Sequence, residues 1–251
     1  METALLILIP FLASLLTFFS GFGLGTLLTP VFLYFFPVEL AVGMTASVHL
    51  FNNVFKLALL RKSIHRATFL SFAAWALPGA VLGAWLLGRL SHAPLLNFHA
   101  QWQVAPLSFI IGWVMVVFTL LEFWPVWNRI QWSGKSFYVG GFLSGFFGGL
   151  SGHQGALRSL FLKKLPLSPS AFVATGTAVA VLVDLSRMPV YLWEGQWSAW
   201  PMKTIAMAVL SAMAGALLGK QLLKKITWKH LHWTVGAFLL LTGIGLISGR
   251  L

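Results

Sequence analysis

The chain has 251 residues, of which AVILMFWYC make up 58% and DEKR only 9%, with a mean hydropathy of +0.85. Soluble domains carry about 25% charged residues, so this composition excludes a water-facing fold and describes a polytopic membrane protein. Lys and Arg number 17 against 5 Asp and Glu, and there is no cysteine. Disulfides, thiolate metal sites and thiol nucleophiles are thereby excluded, and the basic surplus reads as cations flanking membrane spans rather than as a nucleic-acid surface.

Apolar runs predict eight blocks, near 3–36, 40–60, 67–90, 104–125, 136–162, 169–192, 199–221 and 231–249. Continuous apolar runs of about 20 residues point to spanning helices rather than to the alternating strands of a barrel. The amino-terminal stretch has no basic region before its apolar run and is expected to be the first membrane segment, not a cleaved signal. Blocks one and five differ from the rest because glycines interrupt them, in SGFGLGTLLTP (Ser20 to Pro30) and SGFFGGLSGHQG (Ser144 to Gly155). Block one is too long for one span and short for two.

These two blocks open two halves that repeat one another at an offset of about 130 residues. Ser20-Gly21-Phe22 echoes Ser144-Gly145-Phe146, and AVGMTASVHLFNNVFK (Ala41 to Lys56) parallels AFVATGTAVAVLVDLSR (Ala171 to Arg187). Each parallel segment ends in a polar pair three residues apart, Asn53 with Lys56 and Asp184 with Arg187. The expected halves are 1–125 and 136–251, within a single membrane domain. Charge orients them. If all eight blocks cross once, thirteen of the cations divide six against seven between the faces. If blocks one and five are hairpins, they divide eleven against two, and the positive-inside rule selects the hairpins. Each half then crosses three times and the second is inverted. The expected fold is therefore all-α, two inverted repeats, each a glycine-broken helical hairpin followed by three transmembrane helices. Such a pattern points to a secondary transporter with a midplane site.

The broken-helix tips are expected at Gly21, Gly23 and Gly25 and at Gly149, Gly152 and Gly155. A helix restarting after such a tip directs free N–H groups and a positive dipole end into the protein, which favours an anion. The same glycines would also serve as small contacts for close helix packing. Arg158 follows the second tip, and its guanidinium suits oxyanions. Asp184 and Arg187 share a helix face, either as a self-neutralised pair or with Asp184 orienting Arg187 toward a ligand. Lys56 occupies the mirrored position, where snorkelling to the interface competes with ligand binding. Asn52, Asn53 and Gln154 are neutral polar groups for an anion or a broken helix. His49 and His153 are candidate titrating groups. Tryptophans at block ends, Trp102 and Trp233 among them, fit interfacial belts. There is no metal-ligand spacing and no nucleotide motif, so no cofactor, no metal and no built-in ATP motor are expected.

The segments GFGLGTLLTPVF (Gly21 to Phe32), MTASVHLFNNVFK (Met44 to Lys56), GGLSGHQGALRSLFL (Gly148 to Leu162) and ATGTAVAVLVDLSR (Ala174 to Arg187) together resemble the sulfite exporter TauE/SafE family, small prokaryotic anion permeases. The resemblance spans nearly the whole chain. It implies a multi-pass permease of the bacterial inner membrane that moves sulfite, thiosulfate or organosulfonates, with Lys56, Gln154, Arg158 and Arg187 near the substrate. Asn52 and Asn53 would add neutral contacts, with Asp184 and His153 in orienting or coupling roles. The implied partners are a small anion and the lipid bilayer, with no nucleic acid; a homo-oligomer stays open. Two other classes remain beside it. One is an anion channel. The other is an intramembrane serine protease, in which Gly149-Leu150-Ser151-Gly152 resembles a rhomboid nucleophile turn and His230 or His232 would have to supply the base; no catalytic residue is assigned on the main reading.

Overall fold

A computed structural model describes residues 2–17, 24–99, 102–123, 134–194, 200–222 and 229–251. It contains ten α-helices: α1 (Glu2–Thr17), α2 (Leu24–Phe35), α3 (Val38–Leu60), α4 (Arg66–Ser91), α5 (Pro106–Phe123), α6 (Gly134–Ser151), α7 (Gln154–Leu162), α8 (Pro169–Glu194), α9 (Met202–Leu222) and α10 (Lys229–Ile247). Blocks one and five are each two helices, α1 with α2 and α6 with α7, and the other six blocks are single helices. Among the described residues the regular structure is helical apart from one feature absent from the sequence reading. Between α4 and α5 lies an antiparallel two-stranded ribbon of β1 (Leu96–His99) and β2 (Trp102–Val104). Trp102, expected in an interfacial belt, donates its indole N–H from this ribbon to the Ile247 carbonyl of α10.

The helices α4, α8 and α9 are long and apolar enough to cross a bilayer, and α1, α2, α5 and α10 contain shorter apolar stretches. Local signals fix several ends. Pro37 stands at the N-cap of α3 with extended backbone, and Glu39 complements the positive end of the helix in its first turn. At the other end of α3 a single 3-10 turn, Arg61–Ser63, places Arg61 and Lys62 at the negative end.

Apolar side chains both form the core and face outward. Leu70, Leu210, Leu241 and Ile244 are more than half exposed, whereas Asn52, Gln154, Asp184 and Arg187 are fully buried. An apolar exterior with polar groups buried and paired inside is what a lipid solvent selects.

The packing partners follow a pairwise pattern across the two halves. The first helix of each half packs on the fourth of the other, α1 on α9 and α6 on α4; the third helices α3 and α8 meet, and so do the fifth helices α5 and α10. Small residues permit these approaches. On α6, Gly141, Gly145 and Gly149 follow one another every fourth residue and face the backbone carbonyls of Phe72, Ala76 and Ala80 on α4. In return Gly79 and Gly83 face the carbonyls of Phe142 and Phe146. Gly215 of α9 meets the Phe11 carbonyl of α1, and Gly112 of α5 meets the Gly243 carbonyl of α10. Lipid is as apolar as a leucine side chain, so close van der Waals contact rather than hydrophobic burial holds such helices together.

The expected tip glycines therefore divide. Gly21 and Gly23 lie outside the described residues. Gly25 is in the first turn of α2, Gly152 sits at the break itself and Gly155 is in the first turn of α7. Gly149 lies in the last turn of α6, against the Ala80 carbonyl, and is a packing glycine.

Gly145→Val is expected to lower stability by about 1–3 kcal/mol or more, because its Cβ has only the Ala76 backbone to displace. Gly245→Ala meets only the movable side chain of Leu251 and is expected to be nearly neutral. Thermal unfolding of the two purified variants in one detergent checks the contrast.

Candidate functional site

The second helix break is built around Gly152, whose φ of +81° is open to glycine at little cost. It ends α6 at Ser151 and lets α7 start at Gln154, inside the protein. A broken helix leaves its last carbonyls and first N–H groups without intrahelical partners. The two sides of this break are treated differently.

The carbonyl side is covered from α8. Arg187 donates from Nη1 to the Gly148 carbonyl, and the Tyr191 hydroxyl donates to the Gly149 carbonyl. Arg187 Nη1 also lies 3.4 Å from the Tyr191 hydroxyl oxygen. A cation beside the C-terminal end of α6 opposes the negative end of its dipole. Arg187 is held in turn by Asp184, whose Oδ1 accepts from Nε at 2.9 Å and from Nη2 at 2.6 Å. Four of the five guanidinium N–H groups are thus engaged by protein acceptors. Asp184, Arg187 and Tyr191 reach one site because their spacings of three and four residues put them on one face of α8.

The N–H side begins at His153. His153, at the N-cap of α7, makes no side-chain capping bond. Its Nδ1 lies 3.0 Å from the Ser151 carbonyl oxygen, and its buried Nε2 has no hydrogen-bond partner among the described residues. The Thr26 and Thr45 hydroxyls are likewise buried and unpartnered there. The first half reaches the same place. A Cβ on Gly25 of α2 would stand 2.9 Å from the Gly152 carbonyl oxygen and 3.5 Å from the Thr45 methyl. One on Gly152 would meet the Thr29 hydroxyl at 3.3 Å and Arg187 Nη1 at 3.8 Å. The amino-terminal end of α2 therefore abuts the break between α6 and α7.

Asp184 joins these parts. Its Oδ2 accepts from His49 Nδ1 of α3 at 2.6 Å, and its Oδ1 also accepts from Gln154 Nε2 of α7 at 3.0 Å. Gln154 Oε1 accepts from Arg158 Nη1 at 3.1 Å. With Nδ1 donating to Asp184, His49 Nε2 is the acceptor that faces the Asn53 amide nitrogen, at 3.2 Å. Thus α3, α7 and α8 meet through one carboxylate. Asp184, Arg187, Gln154 and Asn53 fall in this connected network. Arg158, in the second turn of α7, joins it through Gln154 and runs beside Gly176 of α8. Lys56 is buried on α3, one turn beyond Asn53, and its charge and that of Arg158 act on one another.

Two expected residues stand apart from the network. Asn52 turns toward α1, where its Oδ1 accepts from the Ser14 hydroxyl at 2.9 Å. His153 contacts Ser151 instead of Asp184. The Ser151 hydroxyl donates to the Phe147 carbonyl within α6, which leaves its proton committed to the helix. The side chains of His230 and His232, required by the protease alternative, lie outside the described residues. Among the described residues no cluster of His, Asp and Glu could hold a metal.

Two participants escaped the sequence reading. His49 was a candidate titrating group with no assigned partner; its link to Asp184 spans 135 positions and has no local signal. Tyr191 was not singled out at all, although its place four residues after Arg187 was a usable clue.

Asp184 and Arg187 are both fully buried and joined by an ion pair of 2.6 Å. Removing one member leaves the other uncompensated, and Asp184→Ala and Arg187→Ala are each expected to cost about 3–5 kcal/mol. The double variant should lose clearly less than the sum of the two. A double-mutant cycle of unfolding free energies measures the difference.

The family model for the sulfite exporter TauE/SafE matches residues 6–246. No curated protein and no solved structure matches the chain.

Proposed function

Since the chain belongs to the sulfite exporter TauE/SafE family, a family of membrane transporters of sulfur-containing anions, we propose that it is a secondary transporter that binds one such anion at the N-terminal end of α7. The observation that carries this reading is the asymmetry of the break: its carbonyl side is covered by Arg187 and Tyr191, while the N-cap residue of α7, His153, makes no side-chain capping bond and has a buried Nε2 without a partner among the described residues. A helix N-terminus in such a setting attracts negative charge.

The charge balance supports the same conclusion. Lys56, Arg158 and Arg187 are buried around one carboxylate, Asp184. Intramembrane cations are costly and face cavities or partners. Arg158 reaches Asp184 only by way of Gln154, so an anion at the break is a natural counter-charge for Arg158. On this assignment Arg158 and Lys56 contact substrate, Gln154 positions Arg158, and Arg187 is a brace with no free fork for a ligand. The residues favour an oxyanion such as sulfite, thiosulfate or a sulfonate, which can accept from amide, hydroxyl and guanidinium donors together.

The exchange of packing partners between halves supports 1–125 and 136–251 as two repeats, and the charge bias supports their inversion. Arg61, Lys62, Arg66, Lys163, Lys164 and Lys220 would then share the cytoplasmic face of a bacterial inner membrane, with Arg89 and Arg250 opposite. Single cysteines at Lys62 and Lys163 should react with an impermeant thiol reagent only from the inside, and one at Arg89 only from the outside. Labelling of the first two from opposite faces removes the inverted arrangement.

Binding is tested on purified protein by thermal stabilisation with sulfite, thiosulfate, sulfate, short sulfonates and carboxylates. A ligand that binds only the folded state raises the unfolding midpoint. A selective shift is expected with at least one sulfur oxyanion. Loss of that shift in a folded Arg158→Gln variant, with partial recovery in Arg158→Lys, supports the site. An unchanged shift in Arg158→Gln and Lys56→Gln removes both residues from it.

A further inference from the structure

Away from the helix break, the turn between α3 and α4 encloses a pocket of about 420 Å³ lined by Arg61, Lys62, Ile64, Arg66, Phe69 and Leu70. From this lining we propose that the pocket binds an anionic phospholipid, with its phosphate among the three cations and its first acyl segment against Phe69 and Leu70.

Three observations converge on such an occupant. The pocket lies where α4, a helix long and apolar enough to cross a membrane, begins; it therefore sits at headgroup depth. Its charge is one-sided, for the lining includes Arg61, Lys62 and Arg66 but no acidic residue. The unfavourable placement is that of Arg66, in the first turn of α4, where the helix already presents its positive end and carries no acidic residue. An anion supplied from outside relieves that repulsion.

The pocket is held in shape without a ligand. The His65 backbone N–H donates to the Thr175 hydroxyl of α8 at 2.9 Å, which anchors the turn to its neighbour. The His65 side chain caps α4 through the Thr68 N–H and lies 2.7 Å from the Thr68 hydroxyl. The 3-10 turn fixes Arg61 and Lys62 beside it.

The apolar half selects a lipid over a free ion. Leu70 is 64% exposed beside the exposed Arg66, and Phe69 is half-buried. A soluble phosphate has no use for that surface, whereas a phospholipid presents phosphate and hydrocarbon at adjacent depths. Basic pockets between transmembrane helices bind acidic headgroups in this manner. The site is distinct from the helix break, and it stands or falls independently of the substrate assignment.

Native mass spectrometry of the purified full-length protein, offered equal phosphatidylglycerol and phosphatidylcholine of the same chain length, tests it. Preferential retention of phosphatidylglycerol is expected, falling about fivefold for each cation removed in Lys62→Gln and further in Arg61→Gln/Lys62→Gln/Arg66→Gln. Arg89→Gln, at the far end of α4, should retain the lipid as the wild type does. Leu70→Asn should weaken retention while leaving all cations in place. The single Lys62→Gln exchange at an exposed position keeps the test open if the triple variant fails to fold. Equal retention of the two lipids, retention unaffected by the cation changes, or equal thermal stabilisation by inorganic phosphate and phosphatidylglycerol overturns the proposal.

Discussion

Much of the interior depends on one carboxylate buried in low dielectric. Asp184 accepts from His49 Nδ1, Gln154 Nε2, and Arg187 Nε and Nη2. Three of these donors converge on Oδ1 and one on Oδ2, so the charge of the carboxylate is well compensated. An isolated buried charge costs several kcal/mol even after relaxation, and these donors are what make Asp184 tolerable. The consequence is geometric. Because α3, α7 and α8 each supply a donor to the same two oxygens, their relative positions are coupled, and α7 is fixed by its first residue. A proton relay through Asp184 would first have to break one of these bonds.

The break between α6 and α7 turns this constraint into a site. Ending a helix inside a membrane protein leaves carbonyls on one side and N–H groups on the other, both expensive when unpaired. The carbonyls are answered by Arg187 and Tyr191, and Arg187 is kept in place by Asp184. Covering one side with a cation leaves the other side positive in two ways, through the dipole end of α7 and through Arg158. The glycines near the break have separate duties. Gly152 supplies the backbone turn, whereas Gly141, Gly145 and Gly149 bring α6 onto the carbonyl ridge of α4.

The fold was legible in the sequence to the extent that lipid imposes simple rules. Long apolar runs, glycine interruptions and their recurrence identified the ten-helix order, because each follows from bilayer thickness or from the cost of broken backbone. The β1–β2 ribbon was not legible, since a few residues such as Leu96 and Trp102 carry no periodic signal. At the site, Asp184 and Arg187 were readable as a pair from their spacing on one helix. Their other partners were not: His49 and Gln154 come from different halves, and no local pattern records which long-range donor reaches a carboxylate. The division of the glycines between turning and packing also needed coordinates, for Gly149 and Gly152 look alike in sequence and differ in what stands beside them.

The placement of the remaining cations bears on how such a site could be coupled to movement. Lys56 belongs to α3 of the first half and Arg158 to α7 of the second, and their like charges act on each other. Like charges in a poorly screened interior repel far more than in water. An anion between them reverses the sign of the local interaction and favours approach. A ligand shifts a conformational equilibrium only by its differential affinity for the two states. If an anion binds between Lys56 and Arg158, their placement on different helices, α3 and α7, would supply that difference when the two helices shift against one another. Two cations on one rigid helix would bind an anion equally well in either state and would move nothing.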